Sequence, residues 1–137
     1  MILAKDHLRT DMKRKILISI NSKHVENIIS GIKKYEYRRI VAKQDISSIV
    51  IYETAPTKRV VAEVVILDVL KLPKEQLWEE TKDKAGISKD FFLDYFKGKE
   101  IAYAYKLGKI RVFEQPKTLE EYGVRFAPQS FVYLKNP

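Results

Sequence analysis

Gly31, Lys33, Glu36 and Arg38 fall in one short run, Gly31-Ile32-Lys33-Lys34-Tyr35-Glu36-Tyr37-Arg38-Arg39, with the spacing G-x-K-x-x-E-x-R. On a strand, side chains alternate between faces, so Lys34, Glu36 and Arg38 point one way and Tyr35 and Tyr37 the other. Lys33 sits at the turn before the strand, where strict alternation need not hold. A guanidinium two residues from a carboxylate stabilises its ionised form, and Lys33 or Lys34 would complete a charged triad. Such a triad can accept from a base amino group and donate to a phosphate. The plainer reading is a solvated face with ordinary ion pairs, which contribute little energy.

A second group of candidates follows the next apolar run. Tyr52, Glu53, Thr54 and Pro56 form a lip on which a base could stack, with the Thr54 hydroxyl as a donor and Lys58 and Arg59 next to a phosphate backbone. An equally good reading leaves Tyr52 half-buried in a sheet and Lys58 in an ordinary exposed turn. Glu63 interrupts an apolar strand; it demands a partner if buried, and pairing with a nearby lysine is the simpler expectation. Trp78 and the run Phe91–Phe96 read as core. Gln129 and Ser130 lie near the last predicted strand.

The elements that must position these residues are legible in outline. Residues 16–20 are a β-branched strand, and Asn21 or Ser22 can cap a following helix. Val25, Ile28, Ile29 and Ile32 have i, i+3, i+4, i+7 spacing and predict one buried face. Gly31 stands where a left-handed residue ends a helix. Strands follow at about 48–53, 60–70 and 100–114, the last either bent or broken at Gly108, with a final one at 130–134. Pro73 opens a helix running to about Lys84, Ser88 caps another, and Leu119–Gly123 is a helical turn. Short helices set between the strands of a bent sheet indicate an α+β barrel.

Composition narrows the chemistry. With 137 residues and 45% hydrophobic content, one domain with one core is expected. The absence of cysteine excludes disulfides, thiolate metal sites and a cysteine nucleophile, and two histidines are too few for a histidine-based metal cluster. No cofactor is expected. No apolar run reaches membrane-span length and no signal-peptide pattern is present, which makes a cytoplasmic location the simplest expectation, with no membrane partner. The net charge is +8, and residues 1–44 carry 11 basic and 4 acidic side chains. A one-sided positive field favours a polyanion. Residues 1–11 read as an N-terminal extension, and the domain pattern occupies 12–137.

The G-x-K-x-x-E-x-R run and the ordered blocks around it, from about Lys13 to Leu134, resemble the ASCH family of the PUA-like superfamily. That resemblance implies an α+β fold, a strongly bent antiparallel β-barrel with short helices inserted between strands, and places the motif on the wall of a central cleft. It implies a module that binds RNA or another single-stranded nucleic acid, or a modified nucleobase or nucleoside. Lys33, Lys34, Glu36, Arg38, Arg39, Tyr52, Thr54 and Lys58 are the binding candidates. A small hydrolase is the alternative, a ribonuclease or a modified-nucleoside amidohydrolase, with Lys33 and Glu36 as catalytic candidates. The amidohydrolases carry a threonine nucleophile where this chain has Glu36, and a carboxylate does not replace an activated hydroxyl in acyl transfer. A transcriptional coregulator or interaction domain is the third alternative.

Overall fold

The computed structural model describes residues 13–135; the predicted extension 1–11 lies outside the described residues. Strand β1 (Arg14–Ile20) leads into helix α1 (Ser22–Ser30), then β2 (Tyr35–Arg38), β3 (Ile46–Glu53) and β4 (Arg59–Pro73). Helix α2 (Lys74–Thr81) continues into a 3-10 turn at Lys82–Lys84, and α3 (Lys89–Tyr95) precedes β5 (Ile101–Lys117). A 3-10 turn at Glu120–Tyr122 and β6 (Val132–Tyr133) complete the described chain.

The six strands form one sheet in the order β2-β5-β4-β3-β1-β6. The α+β class agrees with expectation, and the described pairings do not close the sheet into a barrel. The described pairings leave β2 and β6 as edges, and β1 runs parallel to β3. A parallel pair needs a crossover, which here carries α1, β2 and the loop after it. Bending is concentrated in the two longest strands. The β4–β5 ladder shifts register between Val60 and Ala62, between Val64 and Ile66, and between Ile66 and Asp68. Each shift increases local twist and turns the strand. Gly108 lies within β5, so the bent single strand is the correct alternative.

Three apolar clusters hold the sheet. Ile16, Ile18, Ile20, Ile49, Ile51, Val64 and Tyr105 pack with Val25 and Ile28 of α1. Leu17, Val50, Tyr52, Val60 and Leu134 form a second cluster. Tyr37, Leu77, Trp78, Phe92, Phe96, Ala102 and Ala104 make a third, where α2 and α3 pack on the β2–β5 end. Tyr37, Phe92 and Phe96 meet edge-on, with Tyr37 and Phe92 centroids 5.2 Å apart, and Trp78 lies tilted against Phe92.

The helix ends follow the capping rules. Asn21 Oδ1 accepts from the His24 amide at 3.0 Å, and Ser88 Oγ accepts from the Phe91 amide at 3.1 Å. Gly31, with φ 86°, ends α1 in the left-handed conformation. Because the helix stops there, Ile32 leaves the helical frame. It is exposed, as is Ile29, and only Val25 and Ile28 of the predicted stripe are buried. Pro73 closes β4 rather than entering α2.

Gly86 does more than turn the chain. Its φ is +69°, and a Cβ built there would lie 2.6 Å from Lys33 Cβ. Gly98 has φ +82° with open space around it. Gly86→Ala is therefore expected to lower stability by about 3 kcal/mol, against about 1 kcal/mol for Gly98→Ala. Urea unfolding of both variants measures the difference, which isolates the steric contact with Lys33. Equal losses would mean that the loop moves aside freely.

Candidate functional site

The motif residues converge on a cavity of about 220 Å³ between β1, β2, the start of α1 and the face of α3. Ser19, Asn21, His24, Lys33, Glu36, Tyr37, Arg38, Ile87, Phe91 and Tyr95 are among the residues that line it. Its charged wall is built from β2 and the turn before it.

Glu36 is buried, with 6% of its surface exposed. Arg38 reaches it from two residues on, with Nη2 2.8 Å and Nε 3.0 Å from Oε2. Both nitrogens meet the same oxygen, which leaves Oε1 for another partner. Arg38 Nη2 also donates to the Ser19 carbonyl at 3.0 Å, tying β2 to the end of β1. Because the guanidinium is held from two directions, the pair behaves as a fixed feature rather than as a loose surface contact.

Lys33 is almost fully enclosed, at 2% exposure. Its amide donates to Asn27 O at 2.9 Å, and Nζ donates to Ala85 O at 2.9 Å. Nζ also lies 4.8 Å from the centre of the Tyr37 ring, within cation–π range. Burial lowers the Lys33 pKa below the ordinary lysine value; the Glu36 carboxylate opposes that shift and Arg38 adds to it. Tyr37 is itself anchored, donating to Thr81 Oγ1 at 2.7 Å, while Thr81 donates to Leu77 O at 2.7 Å. Burial pushes the Tyr37 hydroxyl up to about 12, despite the hydrogen bond to Thr81.

His24 faces the same space from α1. Its pKa is lowered by burial and then by Lys33, with Glu36 pulling the other way. Its Nδ1 is buried without a partner, as are the Ser19 and Ser22 hydroxyl oxygens. The ring packs edge-on against Phe91, centroids 5.8 Å apart.

Of the binding candidates, Lys33, Glu36 and Arg38 line this cavity. Lys34 is exposed outside it, with its backbone bonded to Lys84 O and to the Leu107 amide. Arg39 is exposed too, but Nε donates to Tyr95 O at 2.6 Å and the guanidinium stacks 4.3 Å from the Tyr95 ring centre. Tyr52 is buried in the Leu17–Val50 cluster, away from the cavity lining. Thr54 lies outside the lining as well, although its amide donates to the Ile20 carbonyl at 3.0 Å. Lys58 is exposed in the turn after β3, with φ 53°. Gln129 and Ser130 are exposed outside the lining. Glu63 pairs with Lys15 at 2.9 Å and accepts from Ser48 at 2.6 Å, as the simpler expectation had it.

Sequence reasoning missed Asn21, His24, Tyr37, Phe91 and Tyr95 as cavity residues. Phe91 was expected in the core yet is 50% exposed. The signal for His24 was present: a histidine three residues after a cap sits in the first turn, beside whatever the helix start faces. Among the described residues, no group of three or more His, Asp or Glu side chains is placed to hold a metal ion, and no helix is long and apolar enough to cross a membrane.

The ASCH domain model matches residues 18–120. The chain belongs to the ASCH domain family. An ASCH domain-containing ribonuclease of Zymomonas mobilis is 30% identical over 128 residues, covering 90% of this chain and 86% of that protein. The crystal structure of ASCH from Zymomonas mobilis superposes with a TM-score of 0.80 at 28% identity, over 88% of this chain and 87% of that one. This ASCH domain also matches an ATP synthase subunit alpha of Ureaplasma parvum at 28% identity, over 90% of its own length but only 16% of that protein.

The buried lysine sets a pH signature. At low pH both the folded and unfolded states hold its proton, and the cost of burying the ammonium is present in full. As pH rises from the lowered folded-state pKa toward 10.5, the unfolded chain binds more protons than the folded one, and stability rises. Urea midpoints of the wild type should therefore climb relative to Lys33→Met over that window. Parallel pH profiles for the two proteins would show that Lys33 is not desolvated in solution.

Proposed function

We propose that this ASCH domain binds single-stranded RNA by taking one nucleotide into the cavity lined by Lys33, Glu36 and Arg38. The observation that carries this reading is the buried Glu36–Arg38 pair, which presents a free carboxylate oxygen beside a fixed guanidinium in an enclosed space. A base amino group suits Glu36 Oε1, and the positive groups around it suit a phosphate. The cavity has room for one base rather than for a helix, and single-stranded segments are those whose bases can be splayed into such a space. The net charge of +8 supplies long-range attraction to a polyanion. Lys34, Arg39 and Lys58 would add backbone contacts outside the cavity. Tyr52 has no part in this reading, because its ring packs in the sheet.

A second reading is cleavage of the bound RNA. It is favoured by the similarity to a protein named as an ASCH domain-containing ribonuclease, over nine-tenths of the chain. It is favoured also by Lys33, whose lowered pKa makes its ammonium a better acid. In this chemistry Glu36 takes the proton of a ribose 2′-hydroxyl as that oxygen attacks the adjacent phosphorus. Arg38 meets the charge that develops on the phosphoryl oxygens. Lys33 protonates the departing 5′-oxygen, and the products are a 2′,3′-cyclic phosphate and a 5′-hydroxyl. Acyl transfer is not favoured, because Glu36 occupies the threonine position and already accepts two hydrogen-bonding contacts from Arg38.

Fluorescence anisotropy with 2′-O-methyl single-stranded RNA, which cannot be cut in this way, tests binding alone. Affinity should fall steeply with salt, and Arg38→Ala should weaken it by about 10- to 100-fold, with Arg38→Lys intermediate. No binding by the wild type would overturn the proposal. Unmodified RNA then tests the second reading on a gel. Glu36→Gln should lower cleavage of fully bound RNA at least about 100-fold, because the amide cannot take the proton; binding without cleavage by the wild type would reject it.

A further inference from the structure

A second cavity of about 570 Å³ adjoins the first. Asn21, His24, Ile87 and Phe91 line both, so the two form one groove across the edge-on His24–Phe91 contact. Lys23, Gly86 and Ser88 line only the second. Phe91 is half exposed, although it sits on a short helix whose Phe92 is completely buried. An aromatic ring kept at a groove wall, with a free face, is the feature that single-strand binders use to stack bases irrespective of sequence.

Three polar side chains of the second cavity have donors to spare. Asn21 uses its carbonyl oxygen to accept from the His24 amide, so its NH2 group is left to donate. Ser88 uses its oxygen to accept from the Phe91 amide, which leaves its O–H to donate. Lys23 is a cation with donors alone. Glu36 is the single acidic residue in the linings of the two cavities, and it belongs to the first. A rim of donors beside an aromatic platform is complementary to a phosphodiester with its base attached. An apolar peptide would leave those donors unused.

The loop that floors this groove also sets Lys33. Ala85 O holds Lys33 Nζ, and Gly86 packs on the Lys33 stem. Occupants of the two cavities therefore share one wall and one loop.

We propose that the second cavity is a subsite for the nucleotide flanking the one held by Lys33, Glu36 and Arg38, with its base stacked on Phe91 and its phosphate met by Lys23, Asn21 and Ser88. The subsite rests on the RNA reading above and extends it to at least two consecutive nucleotides. Phe91 acts here as a specificity-determining residue for single-stranded over duplex RNA, since a paired base cannot lie on the ring.

The test uses 2′-O-methyl adenosine oligomers of one to four residues, with affinity measured by calorimetry on the wild type, Phe91→Ala, Phe91→Trp and Lys23→Ala. The wild type should bind the dimer at least about tenfold more tightly than the monomer. Phe91→Ala should erase most of that gain, about 5- to 100-fold, read as the ratio of dimer to monomer affinity within each variant because Phe91 lines both cavities. Phe91→Trp should retain the gain, and Lys23→Ala should lower the salt dependence for the dimer. Because Phe91 is half exposed, the alanine variant should lose little stability and still unfold cooperatively well above the assay temperature. A dimer gain unaffected by Phe91→Ala overturns the subsite and leaves the RNA reading standing. A wild type that binds none of the oligomers overturns both. A concentration-dependent dimer of the protein, abolished by Phe91→Ala, would assign the groove to a second copy of the chain and would also overturn the subsite.

Discussion

A lysine shut away from water must find partners for its ammonium, and much of this fold is arranged around that requirement at Lys33. The carbonyl of Ala85 accepts from Nζ, the ring of Tyr37 faces it, and Glu36 supplies the opposite charge nearby. Each partner imposes a demand of its own. Ala85 can approach only because Gly86 has no side chain to strike the lysine stem. Tyr37 is held by Thr81, and Thr81 by the backbone of α2. Glu36 needs Arg38, and Arg38 needs the carbonyl of Ser19. Buried charges are tolerated only when satisfied in this way. The resulting chain of contacts joins β1, β2, α2 and the loop before α3 into one unit.

The sheet provides the frame for that unit. Strand β2 is only four residues long and sits at an edge, paired with β5 through Tyr35 to Arg38. An edge strand carrying charged side chains also resists pairing with other chains. Register shifts along β4 and β5 turn the sheet so that α2 and α3 pack on the β2–β5 end, while α1 packs on the other. The groove runs where α1 and α3 come together, across His24 and Phe91. Apolar packing positions the helices, and the polar chemistry occupies the seam between them.

Membership of the ASCH family rests on a match over most of the chain and agrees with the superposition on the Zymomonas mobilis structure. Family membership does not choose among chemistries, because function resides in particular side chains. In the proposed reading, the Glu36–Arg38 pair and the enclosed Lys33 are the groups that suit an anionic, base-bearing ligand. In that reading the net positive charge would attract a polyanion, and the enclosed groups would distinguish one ligand from another.

Local signals in the sequence determined the local outcomes. Asn21 and Ser88 start helices because their side chains can satisfy orphan amides, and Gly31 stops one because only glycine turns left-handed at no steric cost. Glu36 and Arg38 share a face because they stand two apart on a strand. The i, i+3, i+4 stripe marked Val25 and Ile28, and the apolar runs marked the longer strands. What the sequence left open depended on contacts between distant segments. Ile29 and Ile32 match the stripe yet are exposed, since α1 ends at Gly31 and the chain leaves the helical frame there. Tyr52 has the chemistry of a stacking residue, but the β1–β3 pairing and its apolar neighbours enclose it. Phe91 has the appearance of a core residue, but α3 docks through Phe92 and Phe96, which leaves Phe91 on the wall of the groove. Burial and proximity across 50 or more residues, as between Lys33 and Ala85, are properties of packing rather than of spacing. Tertiary structure therefore decided which of the charged and aromatic side chains came to line the cavity.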